Sequence, residues 1–135
     1  MSPKRIRQRL ADFTKALERL QEGLSEDPSL NSMIVDGTIQ RFEFTFELAW
    51  KLGRDILEYN GVEAVNPRSV IKELFQGEMI QDGESWIQML EDRNKTSHIY
   101  DEREAKAIYK KIKKDYYDLL DEFKKKILPM MAKIK

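Results

Sequence analysis

Ile6, Leu10, Phe13, Leu17, Leu20 and Leu24 advance along the chain in steps of four and three. At about 100° per residue, those steps hold the apolar side chains on one face of an α-helix. The rhythm returns near the end in Ala105, Ile108, Ile112, Tyr116, Leu119, Phe123, Ile127 and Met130. The segment from roughly 30 to 60 is apolar on two sides. Ile39, Phe42, Phe46, Ala49, Gly53 and Ile56 mark one stripe, and Phe44, Leu48 and Leu52 mark another. A helix with two apolar faces must be covered on both, so this segment is predicted to lie centrally or at a subunit interface. No β-type alternation runs longer than a few residues, and there is no internal repeat or low-complexity tract.

The punctuation between these runs is helical too. Pro3 suits a first turn, and "EDPS" closes the first helix. "YNGVEAVNP" stops the second, with Gly61 as the residue just past its end. Asn66 as cap and Pro67 at the first helical position start a short helix whose buried side is expected to be Val70, Ile71, Leu74 and Phe75. Asp82 is placed to cap a fourth helix bearing Trp86, Met89 and Leu90, and "DERE" reads as a capping box built on Asp101 and Glu104. Pro129 should kink or end the last helix. The predicted fold is all-α: an antiparallel helical bundle of four main helices plus a short one, filling residues 1–135 as a single domain.

Charge narrows the classes of function. Apolar residues make up 41% of the chain and charged residues 36%, with a formal net charge of zero, which argues against nucleic-acid binding by bulk charge. The distribution is uneven. Residues 1–10 carry four basic groups and no acid, and residues 101–135 carry eleven basic and seven acidic groups, a balance of +4. Two basic ends around an acidic middle either gather a local phosphate-attracting surface or simply keep lysine-rich helices wet. The absence of cysteine excludes disulfides and thiolate metal sites. No run is long enough to span a membrane, and "MSPKRIRQRL" lacks the apolar stretch of a signal peptide, so a cytoplasmic location is expected.

"RNKTSHIY", residues 93–100, holds the only histidine. On a continuous helix Arg93 and His98 would point some 140° apart at about 100° per residue. They share a space only if the helix breaks between them. A helix running out around Arg93, a Thr96–Ser97 turn and a new cap at Asp101 would let Arg93, His98 and Tyr100 project from one loop. Such a set offers a guanidinium matched to phosphate oxygens and an imidazole able to accept and return a proton near neutrality. Those are the parts needed to cleave an RNA phosphodiester without a metal or another cofactor. One histidine per chain does not comfortably serve as both base and acid, and a two-fold dimer would supply the second. The same residues also fit an ordinary polar connection. In that reading the histidine is solvated, Arg93 complements the helix dipole, and Tyr100 is a hydrophobic staple before the cap.

The pattern Arg93-Asn94, then four residues after Arg93, His98, one residue, Tyr100 resembles the signature of the HEPN superfamily. The likeness is to the small proteins paired with minimal nucleotidyltransferases, often labelled nucleotidyltransferase substrate-binding proteins. "DGTIQRFEFTFELAWKL", residues 36–52, is similar to that family's second helix, and the resemblance covers essentially the whole chain. It implies a helical-bundle homodimer with the motif lining a cleft between subunits. It further implies Arg93 and His98 as ribonuclease residues and Asn94 as a supporting residue that orients the loop or phosphate. Tyr100 becomes the residue that a separately encoded partner nucleotidyltransferase, the antitoxin, modifies with AMP. An adenylyl group on Tyr100 would set bulk and negative charge beside His98 and Arg93, where RNA would otherwise bind.

Three functions follow for testing: an endoribonuclease toxin acting on RNA, a non-catalytic subunit presenting a substrate or nucleotide to the transferase, and a purely structural dimer. The chain has no Gly-Ser loop followed by an Asp-x-Asp pair, so it is not expected to be the transferase itself. Glu43 and Glu47 share a helical face at a spacing seen in metal sites, but without nearby histidines a salt-bridging or dimer-face role is expected. Trp50 and Trp86 are expected in the core, and "KRIRQR" is open to RNA or to the partner.

Overall fold

The computed structural model describes residues 2–99 and 101–134, and every regular element among them is helical. Helix α1 runs Pro3–Ser25, α2 Ser32–Tyr59, α3 Pro67–Gln76 and α4 Gly83–Lys95. A 3-10 turn, Thr96–His98, leads on to α5 (Glu102–Lys111), a π-helical turn (Ile112–Tyr116) and α6 (Tyr117–Met130). No helix among the described residues is long and apolar enough to cross a membrane.

The caps fall where small polar residues precede apolar periodicity. The side chains of Asn31, Asn66, Asp82 and Asp101 accept from the backbone N–H groups of Met33, Ser69, Ser85 and Glu104 at 2.8, 2.9, 3.0 and 2.8 Å. Ser69 returns the bond to the Asn66 backbone, closing a capping box on α3. At the end of α2, Gly61 takes φ +82°, and the N–H groups of Gly61 and Val62 donate to the carbonyls of Glu58 and Leu57. That paired arrangement needs a left-handed residue, which glycine adopts without steric cost. Pro129 sits in the last turn of α6, which gives way at Met130 to a closing 3-10 turn.

Helix α2 is the central element, packing against α1, α3, α4 and α5. Its first stripe is buried throughout, and Leu52 of the second stripe is buried as well. Leu48 is half-buried and Phe44 is 59% exposed, so the second face is covered at its C-terminal end and open nearer its N-terminus. A file of aromatic rings links the helices: Phe13 to Phe123, Phe123 to Trp86, Trp86 to Phe46, Phe46 to Phe42, and Phe42 stacked on Tyr116 at 5.7 Å. Trp50 and Trp86 both belong to the core.

Two apolar assignments differ from the sequence pattern. Phe75 is half exposed; its ring lies over Gly83, where a Cβ would come within 3.2 Å of it, so it covers the start of α4 instead of entering the core. In the last helix Leu120 is fully buried and Leu119 only partly. Along Ile108, Ile112, Tyr116 and Leu120 each four-residue step overshoots a regular α-helical turn by about 40°. The wider π turn at Ile112–Tyr116 absorbs that drift and keeps all four side chains inward.

Candidate functional site

Helix α4 does not stop at Arg93 but continues to Lys95, so Arg93 stands on its last turn and not in a loop. The chain then tightens. The Thr96 hydroxyl donates to the Arg93 carbonyl at 2.6 Å and the Ser97 hydroxyl to the Asn94 carbonyl at 3.3 Å, satisfying acceptors that the helix end leaves open. His98 closes this 3-10 turn, and its side chain is exposed. Ile99 is extended and packs against the core, which redirects the chain towards the Asp101 cap. Asn94 is exposed. Tyr100 lies outside the described residues.

The break expected between Arg93 and His98 falls later: the α-helix tightens into the 3-10 turn without leaving the right-handed helical region, the chain becomes extended only at Ile99, and the two side chains have different settings. The Arg93 guanidinium leans onto α2, where Nη2 pairs with Glu47 Oε1 at 3.0 Å. Its Nε is buried and has no hydrogen-bond partner among the described residues. No hydrogen bond or ion pair joins Arg93 to His98 among the described residues. Glu47 is itself fixed, since Oε2 accepts from the Trp50 indole at 3.2 Å and lies 3.9 Å from Lys51 Nζ. The Arg54 guanidinium covers the Trp50 ring at 5.4 Å. The acid pair singled out in the sequence thus splits, and Glu47 becomes the counter-charge of Arg93 through salt bridging. No group of three or more His, Cys, Asp or Glu residues among the described residues could hold a metal ion.

The residue before Arg93 carries a second device. Asp92 is 3% exposed and accepts a hydrogen bond from the Tyr116 hydroxyl on the π turn. Lys111 Nζ donates to the same oxygen at 3.3 Å, and Lys95 Nζ lies 3.8 Å from the other. A buried carboxylate is tolerable only when so compensated. Burial pushes the Tyr116 phenol well above the usual tyrosine range, and the bond to Asp92 and its charge add to this. Tyr116 therefore stays a neutral donor. Through Phe42, stacked on Tyr116, the aromatic file of the core reaches the base of the turn that carries Arg93 and His98.

Sequence reasoning missed Asp92 and Tyr116 as a pair. The signal was present: an acid three residues after buried Met89, on the apolar side of α4, and a tyrosine on an apolar stripe whose hydroxyl needs a partner once buried. The basic N-terminus also has a structural role. Arg9 pairs with the fully buried Asp55, and Arg7 Nη1 donates to the Ile134 carbonyl at 3.2 Å.

Comparison with known proteins sets this geometry in context. Residues 8–128 match the family described as "Nucleotidyltransferase substrate binding protein like". A curated relative from Haemophilus influenzae, "Probable ribonuclease HepT", is 32% identical over 84 residues, a match spanning 58% of this chain and 58% of that protein. A crystal structure from Thermus thermophilus superimposes with a TM-score of 0.77 at 33% identity, covering 88% of this chain and 98% of the other. A Haemophilus influenzae structure, described as revealing the fold of a substrate binding domain of a nucleotidyltransferase, also gives 0.77, at 22% identity over 87% and 98% of the two chains; at that identity it supports the fold alone. With nine-tenths of its length inside the family match and the same helical bundle in its structural neighbours, the chain belongs to the nucleotidyltransferase substrate-binding-like proteins.

Proposed function

We propose that this protein is a HEPN-type endoribonuclease toxin that acts as a homodimer and is silenced by a separately encoded minimal nucleotidyltransferase. The observation that carries the reading is an exposed His98 on a tight turn, five residues after a half-buried Arg93 whose guanidinium Glu47 orients, in a chain related to a probable ribonuclease. In the proposed reaction a neutral His98 removes the proton from an RNA 2′-OH. The 2′-oxygen bonds to phosphorus, the bond from phosphorus to the 5′-oxygen breaks, and the leaving oxygen takes a proton from the imidazolium of the second subunit's His98. The products are a 2′,3′-cyclic phosphate and a 5′-hydroxyl. Arg93 steadies the negative charge of the phosphorane, with Glu47 orienting it. Asn94, exposed one residue on, supports the turn or the phosphate. The chemistry needs no metal ion.

Inducing the chain alone should slow growth and degrade RNA, and His98→Ala or Arg93→Ala should restore growth. Incubation with the partner transferase and ATP should add mass in AMP units, lost in Tyr100→Phe. The family description favours a second reading, a non-catalytic subunit that presents a substrate or nucleotide to the transferase. Equal harmlessness of wild type and His98→Ala, with RNA intact in both, would select it.

A further inference from the structure

Beside the turn that carries His98 lies a cleft of about 690 Å³, built from the α1–α2 connection, the start of α2 and one face of α5. Ile99 and Asp101 form part of its wall, so it opens directly after the Arg93–His98 segment. Its volume is in the range that holds a small organic ligand.

The lining has three parts. Val35, Ala105 and the ring of Tyr109 give an apolar inner surface. Lys106 and Lys110, one turn apart on α5, stand on one side, exposed and unpaired with any acid among the described residues. Asp36, Asp101 and Glu102 stand elsewhere on the rim. Tyr109 adds an independent sign: it is 5% exposed, and its hydroxyl is buried with no hydrogen-bond partner among the described residues. A buried hydroxyl without a partner is uncommon and calls for a reason. Burial, reinforced by the charge of Asp27, pushes the phenol's pKa above the usual tyrosine range and keeps it a proton donor.

A ligand that fits must be flat and apolar enough for Val35 and the Tyr109 ring. It must bring an acceptor for the phenol and donors for the rim carboxylates, and it must carry an anion for the two lysines. Free phosphate meets only the last demand. A nucleotide meets all four: a base, its amino and ribose hydroxyl donors, its ring acceptors and its phosphate. We infer that this cleft is a subsite for one nucleotide of a single-stranded RNA, holding it next to the phosphodiester presented to His98. The inference rests on the ribonuclease reading for the identity of the strand, and it assigns Lys106, Lys110 and Tyr109 a role in holding that strand. The phenol is covered in this conformation, so engaging it requires the ring to shift.

The test uses the full chain and a fluorescent, mixed-sequence single-stranded oligoribonucleotide. Binding is measured in a His98→Ala background, and cleavage in the wild-type background. Tyr109→Phe should weaken binding about fivefold while leaving the melting temperature unchanged or raised, because the lost hydroxyl has no partner. Lys106→Ala with Lys110→Ala should weaken it at least tenfold and flatten the dependence of log Kd on log salt by roughly 1.4, at about 0.7 per phosphate contact on a single strand. Cleavage of the oligonucleotide by wild type, with both variants binding and cutting as well as their parents, would overturn the subsite and leave the ribonuclease reading standing. Lysine- and Tyr109-dependent binding without cleavage would retain the subsite and remove the ribonuclease. An oligonucleotide neither bound nor cut overturns both.

Discussion

Asp92 and Tyr116 are the residues on which the candidate site's geometry rests, although neither faces a substrate in the proposed reaction. The carboxylate is buried, and the phenol that caps it has its ionisation suppressed. Tyr116→Phe should destabilise the fold by about 1.5–3 kcal/mol, the usual worth of a hydrogen bond to a charged group. An Asp92→Asn partner in a double-mutant cycle should recover most of that as coupling. The pH dependence follows from the direction of the shift. The folded phenol holds its proton to higher pH than the unfolded one. Its contribution is therefore fully present below about pH 10 and declines as the unfolded tyrosine ionises above it. Tyr116→Phe should flatten that alkaline loss in urea titrations; an unchanged alkaline limb would mean that the loss arises elsewhere. The legibility of the site has its limit at this scale. Arg93, Asn94 and His98 stood out because their spacing in sequence is short, and the turn connecting them follows from Thr96, Ser97 and the Asp101 cap. The Glu47–Arg93 and Asp92–Tyr116 contacts join residues 46 and 24 positions apart, and nothing local in either partner specifies the other.

At the level of elements, most boundaries were local decisions and could be seen in the sequence. Asp82 shows why. Its carboxylate accepts from the Ser85 backbone at 3.0 Å and from the Ser85 hydroxyl at 2.6 Å, so a donor-poor loop becomes a helix start within four residues. Asp82→Ala should cost about 1 kcal/mol of stability. The bonds from Ser85, hydroxyl first and backbone second, hold the Asp82 carboxyl below its usual range. That stabilisation is present above the unfolded pKa of about 4 and is lost as pH falls through the depressed folded value. Asp82→Asn keeps an acceptor at the cap but removes the titration, so its unfolding curve should lose less stability than wild type between roughly pH 5 and pH 2. The failures of the pattern were ones of register. Phe75 obeys helical periodicity yet serves as a lid on Gly83, and Leu120 replaces Leu119 inside because a π turn intervenes. Periodicity assumes one rotation per residue along the whole helix, and a single widened turn changes it.

For the molecule as a whole, the unmet demand is on α2. Met33 is 69% exposed and Phe44 59% exposed. Eleven residues apart, they point within about 20° of each other around the helix. Gly37 lies between them with nothing within 4 Å of where a Cβ would stand, and Leu48 extends the stripe to the turn that holds Glu47 and Arg93. An outward apolar stripe with a bare glycine, ending near the Glu47–Arg93 ion pair, fits a second copy related by two-fold symmetry, since each chain would give what it receives. Such pairing would also bring two His98 turns into one assembly, as the proposed two-histidine cleavage needs. The dimer prediction can be separated from fold stability. Gly37→Ala in an isolated chain should gain about 1 kcal/mol from helix propensity. If the stripe is an interface, the same change should instead weaken association by holding two helices apart. Phe44→Glu should shift the chain to a monomer in sedimentation velocity with its helical circular dichroism intact, and should abolish growth inhibition as completely as His98→Ala. A Phe44→Glu protein that sediments as a monomer yet remains as toxic as wild type would show that one chain carries both proton transfers, and the shared-histidine mechanism would have to be abandoned.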